Sequence, residues 1–284
     1  MPLPNFIIFA TRKAGTTSLY HYLSQHPEIY MSTLKGSRFF LFDPERPERG
    51  KNIPVKSVED YKAFFGGADK SGARAIGEAS PSYLGSEGAA QRISAIIPDV
   101  KLIASLRNPV DRSYSHYLMS MRYRSKRDRV PLSAANFQTW ADVGLYAKNL
   151  KPWFKLFDRS QFKIIILEEW KSDTPAMLRD LHRFLSVEED FLPDMKTKYN
   201  TGGEPRSRVF GSILKPRPFH IRLKPYIPET LRAAANRLRN VNMKKAPPLD
   251  PELRSEMEAY FRDDILALQD MTGLDLSKWL GDGG

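Results

Sequence analysis

Cysteine is missing from all 284 residues, which excludes disulfides, thiol catalysis and cysteine-held metal. No uncharged apolar run reaches the roughly 18 to 20 residues needed to span a bilayer. The N-terminus also lacks a basic region followed by an apolar stretch and a cleavage site. These absences give the expectation of a cytoplasmic protein. Acidic residues are in short supply, 33 against 44 lysines and arginines, and the formal net charge is +11. Such a surplus attracts anions, whether nucleotides, acidic glycans, nucleic acid or membrane surfaces, without choosing among them. Internal repeats and low-complexity tracts are absent as well.

The hydrophobic fraction of 41% suffices for a substantial core. The length suits one large α/β domain or two small ones, and the reading taken is a single domain over residues 1–284. Asn5–Ala10, Lys101–Leu106 and Phe162–Leu167 are apolar runs of buried-strand type, whereas Thr16–Gln25, Pro175–Leu185 and Pro251–Leu268 have helical spacing. Their alternation predicts an α/β fold with a parallel sheet covered by helices on both faces. Leu253, Met257, Phe261, Ile265 and Leu268 form one apolar stripe, assigned to packing. Basic residues cluster at Arg122, Arg124, Lys126, Arg127 and Arg129, and again from Arg206 to Lys245, where Glu229 is the single acid. Prolines between Pro216 and Pro228 mark residues 207–245 as an irregular, basic excursion over the surface.

In open parallel sheets, ligands bind beyond the carboxyl ends of strands. That rule selects residues 11–17, the segment Gly77–Tyr83, Arg107-Asn108-Pro109 and Glu168-Glu169. In the first of these, Arg12-Lys13-Ala14-Gly15-Thr16-Thr17-Ser18 turns a strand into a helix, and a phosphate at that junction would meet unpaired helix N–H groups. The order differs from the common GxxxxGK[ST] loop, because the lysine precedes the glycine. After the strand at 101–106, Arg107 is followed eight residues later by Ser115 on the next helix, a spacing that lets both converge on a second anion. An arginine paired with a neighbouring carboxylate is the alternative.

Residues 12–19 and the run Leu106-Arg107-Asn108-Pro109-Val110-Asp111-Arg112-Ser113-Tyr114-Ser115 together resemble the two cofactor motifs of sulfotransferases that use 3′-phosphoadenosine 5′-phosphosulfate (PAPS), a family with bacterial members related to the carbohydrate and heparan sulfate sulfotransferases. The similarity extends over Leu23–Pro27, Lys35–Phe40, Gly77–Leu84, Ile164–Glu169 and Pro248–Trp279. The resemblance implies a P-loop-like three-layer fold with a central, mostly parallel sheet. It also implies transfer of a sulfuryl group from PAPS to a hydroxyl, less readily an amine, of a carbohydrate or small natural product. No metal and no nucleic-acid partner are expected. Arg12, Lys13, Ala14, Gly15, Thr16, Thr17 and Ser18 would surround the 5′-phosphosulfate, with Lys13 on the oxygen bridging sulfur and phosphorus. Arg107 and Ser115 would hold the 3′-phosphate, and Arg206 would come from a late closing segment at 198–206.

Many carbohydrate sulfotransferases place a glutamate base two residues ahead of the aromatic pair's preceding position, in the context Lys-Glu-x-x-Phe-Phe. Here the sequence is Lys35-Gly36-Ser37-Arg38-Phe39-Phe40, and glycine cannot take a proton. Glu78, His116 and Asp43 are the candidate replacements, in that order. Each has a bland alternative: orientation of Lys13 or Arg107 for Glu78, packing beside the 3′-phosphate for His116, and the capping of a turn for Asp43. His21 and His26 lack metal-ligand spacing and are read as structural. Phe39 and Phe40 are assigned to the core, whereas Trp140, Tyr146, Trp153 and Phe154 fit either a core or an acceptor cleft. Two other readings use part of the pattern. A P-loop kinase or NTPase would employ ATP and magnesium, with Glu168 facing the metal, and a noncatalytic basic module would use the charge alone.

Overall fold

The computed structural model describes residues 1–45, 53, 55–86, 88–122, 124–125, 127–195, 204–205, 243–244 and 246–281. Strand β1 (Phe6–Ala10) is completely buried, and its alternating side chains serve two cores. Phe6 and Ile8 point into one apolar cluster, Ile7 and Phe9 into the other. Helix α1 (Thr16–Leu23) follows, then the three-residue strand β2 (Ile29–Met31). Next come β3 (Ala75–Ser80), helix α2 (Ala89–Ile96), β4 (Lys101–Leu106) and helix α3 (Pro109–Met121). Strand β5 (Phe162–Ile166) passes directly into helix α4 (Leu167–Ser172), followed by α5 (Thr174–Leu185) and the long α6 (Pro251–Thr272).

The five strands form one parallel sheet in the order β2-β3-β1-β4-β5. Helices lie on both faces, as the alternation of apolar runs predicts. Leu19, Leu23, Leu181 and Leu185 pack on one face with Ile103 and Ile165, while Ile93, Val110, Trp153, Met257, Phe261 and Ile265 pack on the other with Leu102, Ala104 and Leu106. The chain leaves β1 toward β2 and β3, whereas it leaves β4 toward β5 on the opposite side. The direction of winding therefore reverses between β1 and β4, where a crevice opens beyond their carboxyl ends.

Several boundaries shift from those expected. The first helix stops at Leu23 rather than Gln25, and β5 ends at Ile166 because Leu167 already belongs to α4. Strand β2 is too short to leave a periodic signal. Helix α6 carries the expected buried stripe; Asp250 caps it by accepting from Glu252 N and Leu253 N, and Gly273 ends it in the left-handed conformation. The excursion expected at 207–245 lies outside the described residues except for Met243–Lys244, which pairs antiparallel with Glu204–Pro205. Among the described residues, no helix is long and apolar enough to cross a membrane.

Candidate active site

Between β1 and α1, the chain makes its turn with two residues in the left-handed region, Lys13 (φ 77°) and Gly15 (φ 85°). Gly15 is required for a second reason. A β-carbon there would stand 2.5 Å from Leu167 Cδ1 and 2.7 Å from the Trp170 indole, both on α4. As the residue preceding α1, Gly15 also provides no capping side chain, so the helix presents N-terminal N–H groups to an anion. Thr16 is buried, Thr17 and Ser18 are half-buried and Arg12 is exposed. Two neighbours from the end of β4 fix the loop's carbonyls: Ser105 Oγ donates to Ala14 O, and Arg107 Nη1 donates to Lys13 O at 3.3 Å.

Arg107 is itself held from several directions. Its carbonyl accepts from the Tyr146 hydroxyl at 2.8 Å, and its Nε lies 3.9 Å from Glu168 Oε1. The same Glu168 oxygen accepts from Asn108 N at 3.2 Å. The Asn108 side chain then caps α3 by accepting from Val110 N and Asp111 N. Three residues farther along α4, Lys171 joins the group, a cation that sequence reasoning missed. Burial lowers its pKa first, and the nearby Arg107 charge lowers it further. The available signal was its position three residues after Glu168 at the start of a helix, which puts both on one face.

Positive charge is concentrated at Lys13. Burial is the main reason its pKa falls to about 8, and the charges of Arg122 and Arg107 add to the fall. Arg122 follows the last residue of α3, so the 122–129 cluster starts beside this loop; its Lys126 is outside the described residues. Ser115 is half-buried on the second turn of α3. Its neighbour His116 has a buried Nδ1 without a hydrogen-bond partner. Burial pulls the His116 pKa down to about 4, with Arg112, Arg12 and Lys13 contributing in that order. The imidazole is consequently neutral at pH 7 and within electrostatic reach of the loop. Arg112, fully buried, ties α3 to the following segment by donating to Ser113 Oγ at 2.7 Å and to the carbonyls of Trp140 and Ala141.

Glu78 occupies a different environment from the one expected. It lies inside β3 rather than at its end and is completely buried. Its Oε2 accepts from Ser37 Oγ at 2.6 Å and from Ser80 Oγ at 3.3 Å. Burial raises its pKa, against the opposing effect of hydrogen bonds from Ser37, Tyr83, Ser80 and Tyr61. Neither Lys13 nor Arg107 is among these partners. Glu78 thus supports the 35–40 turn, which is further fastened by Gly36 N donating to Ala79 O at 2.9 Å. At Gly36 itself (φ 76°), a β-carbon would meet nothing within 4 Å, so the turn is open at that point.

The remaining candidates take structural positions. Asp43 Oδ1 accepts from Glu45 N at 3.1 Å and caps a turn. Buried His26 bonds Glu188 O through Nε2 and accepts from Glu28 N at Nδ1. Phe39 and Phe40 are buried against Tyr61, and Trp140, Tyr146 and Trp153 are likewise core residues, with Phe154 packed at the core's margin. Arg206 lies outside the described residues.

Residues 3–197 match the sulfotransferase domain family model. A bifunctional heparan sulfate N-deacetylase/N-sulfotransferase 4 of Mus musculus is 26% identical over 98% of this chain and 31% of its own length. The heparan sulfate glucosamine 3-O-sulfotransferase 3B1 of Mus musculus is 31% identical over 65% of this chain and 46% of its own length. The chain therefore spans less than half the length of these relatives. A sulfotransferase from Alicyclobacillus acidocaldarius has a similar solved structure, with a TM-score of 0.70 and 29% identity over 98% of this chain and 99% of that one.

Proposed function

The chain belongs to the sulfotransferase family, and from that premise we propose that it uses PAPS to sulfate a hydroxyl, less readily an amine, of a carbohydrate or small natural product. The observation that carries this reading is the convergence of two cationic anion sites, one after β1 and one after β4, joined by the Arg107–Lys13 hydrogen bond. Their residues suit the donor: Gly15 leaves the helix N-terminus without a side-chain cap, while Arg107, Ser115 and Lys171 would receive a second phosphate. Arg12, Ala14, Thr16, Thr17 and Ser18 complete the 5′-side of the cradle, with Arg206 retained as a closing contact. The carbohydrate acceptor draws support from the heparan sulfate relatives.

When bound, the donor supplies an activated sulfuryl group, and the protein's task is alignment and charge stabilisation. Lys13 neutralises the negative charge that develops on the leaving phosphate oxygen as its bond to sulfur breaks. A base removes the acceptor proton as the acceptor oxygen bonds sulfur. Of the two catalytic candidates beside Lys13, His116 suits this step better than Glu78, because its imidazole is neutral at pH 7 and lies within electrostatic reach of Arg12 and Lys13, whereas the Glu78 carboxylate is engaged by Ser37 and Ser80. The described elements act as one domain, and residence in the cytoplasm is part of the same proposal.

A kinase-like role for Glu168 has less support, since its carboxylate is turned to Arg107 and the Asn108 amide. The direct test is incubation with PAPS and a panel of glycan and small-molecule acceptors in the presence of EDTA. Transfer of label is expected. Activity only with ATP and magnesium would overturn the reading.

A further inference from the structure

Lys13 is one of three non-glycine residues with positive φ among the described residues. The left-handed conformation brings a β-carbon close to backbone atoms and is unfavourable for such residues. An outside contact must therefore hold the turn, and the one on the Lys13 carbonyl comes from Arg107 Nη1 at 3.3 Å, from a residue 94 positions later in the chain. On the adjacent residue, Ser105 Oγ does the same for Ala14 O. Arg107 is well placed for the task. Its backbone is fixed by the Tyr146 hydroxyl, and Glu168 flanks its Nε while being tied to Asn108 N.

We infer that Arg107 braces the left-handed turn at Lys13 in addition to receiving the 3′-phosphate, and that Glu168 orients the guanidinium for both tasks. The second task rests on the sulfotransferase reading, whereas the brace belongs to the chain itself. Arg107 and Glu168 are positioning residues for Lys13. Occupancy of the 3′-site and the geometry of the leaving-group lysine are then linked, so losing the brace lowers turnover as well as donor affinity. A lysine at 107 keeps the charge but loses the planar fork that can face phosphate and Lys13 O together.

The test combines calorimetry, kinetics and amide exchange on the wild type, R107K and E168Q. Adenosine 5′-phosphosulfate carries no 3′-phosphate, so an Arg107 that serves that phosphate alone leaves its affinity unchanged. The brace instead predicts that R107K binds this nucleotide about fivefold more weakly and turns over saturating PAPS about tenfold more slowly. E168Q separates orientation from charge. Removing a negative charge from an anion site should by itself tighten binding, whereas loss of orientation weakens adenosine 3′,5′-bisphosphate about threefold. In the unliganded protein, amides at residues 13–15 should exchange about tenfold faster in R107K.

Unchanged phosphosulfate affinity together with unchanged exchange in R107K would overturn the brace. Tighter binding of both nucleotides by E168Q would overturn the role of Glu168. If the wild type binds neither nucleotide, the PAPS reading fails, and the exchange rates still decide the brace.

Discussion

Trp170 closes on Gly15 so tightly that a β-carbon at residue 15 would lie 2.7 Å from the indole, in a loop whose φ is already 85°. Helix α4 therefore acts as a wall behind the anion loop. Gly15→Ala combines a left-handed alanine, costing about 1 to 2 kcal/mol, with overpacking of about 1 to 3 kcal/mol. Denaturant unfolding should show a loss of about 2 to 5 kcal/mol, together with failure to bind nucleotide. Wild-type stability and binding would show that the loop opens readily away from α4.

The two shifted groups beside the loop set opposite limbs of the pH profile. Lys13 is needed as a cation, so kcat/KM should fall as pH rises through about 8. His116 is needed neutral, so the acid limb should lie near 4 rather than near the ordinary histidine value of 6.5. His116→Ala should lower kcat by about 10² to 10⁴; Lys13→Ala, by about 10² to 10³. An acid limb at 6.5 that survives in His116→Ala would remove His116 from the role of base.

Glu78 is expected to matter to stability more than to chemistry. Glu78→Ala strips a buried acceptor from Ser37 and Ser80, and unsatisfied buried groups cost about 1 to 3 kcal/mol each. Glu78→Gln, which preserves volume, should retain most of the turnover. Its complete inactivation in a protein that melts normally would restore Glu78 as the base.

Lys171 should contribute to recognition of the 3′-phosphate. Lys171→Ala is expected to weaken adenosine 3′,5′-bisphosphate roughly five- to tenfold, a charge-assisted contact of about 1 kcal/mol. ADP should be affected less. Equal losses for the two nucleotides would assign Lys171 to general attraction of anions.

How far the sequence could be read depended on the distance between the residues involved. Lys13, Gly15 and Arg107 were legible because they lie in the turns that follow apolar strands, where orphan helix N–H groups and cations must gather. The α6 stripe was legible because five apolar residues repeat at helical spacing. The interior position of Glu78 was not, since β3 contains Gly77, where a β-carbon would run into the Phe6 ring, and this breaks the apolar run. The Arg107–Lys13 bond joins residues 94 positions apart, and the wall formed by α4 depends on how β5 enters its helix. Such contacts are products of the sheet order, on which local spacing is silent.

The most direct test of the account is calorimetric titration with adenosine 3′,5′-bisphosphate, ADP and magnesium-ATP. Tight bisphosphate binding that needs no metal, weaker by about 1.5 to 3 kcal/mol in Arg107→Ala, is the predicted result. Preference for magnesium-ATP, with bisphosphate affinity indifferent to Arg107, would contradict it.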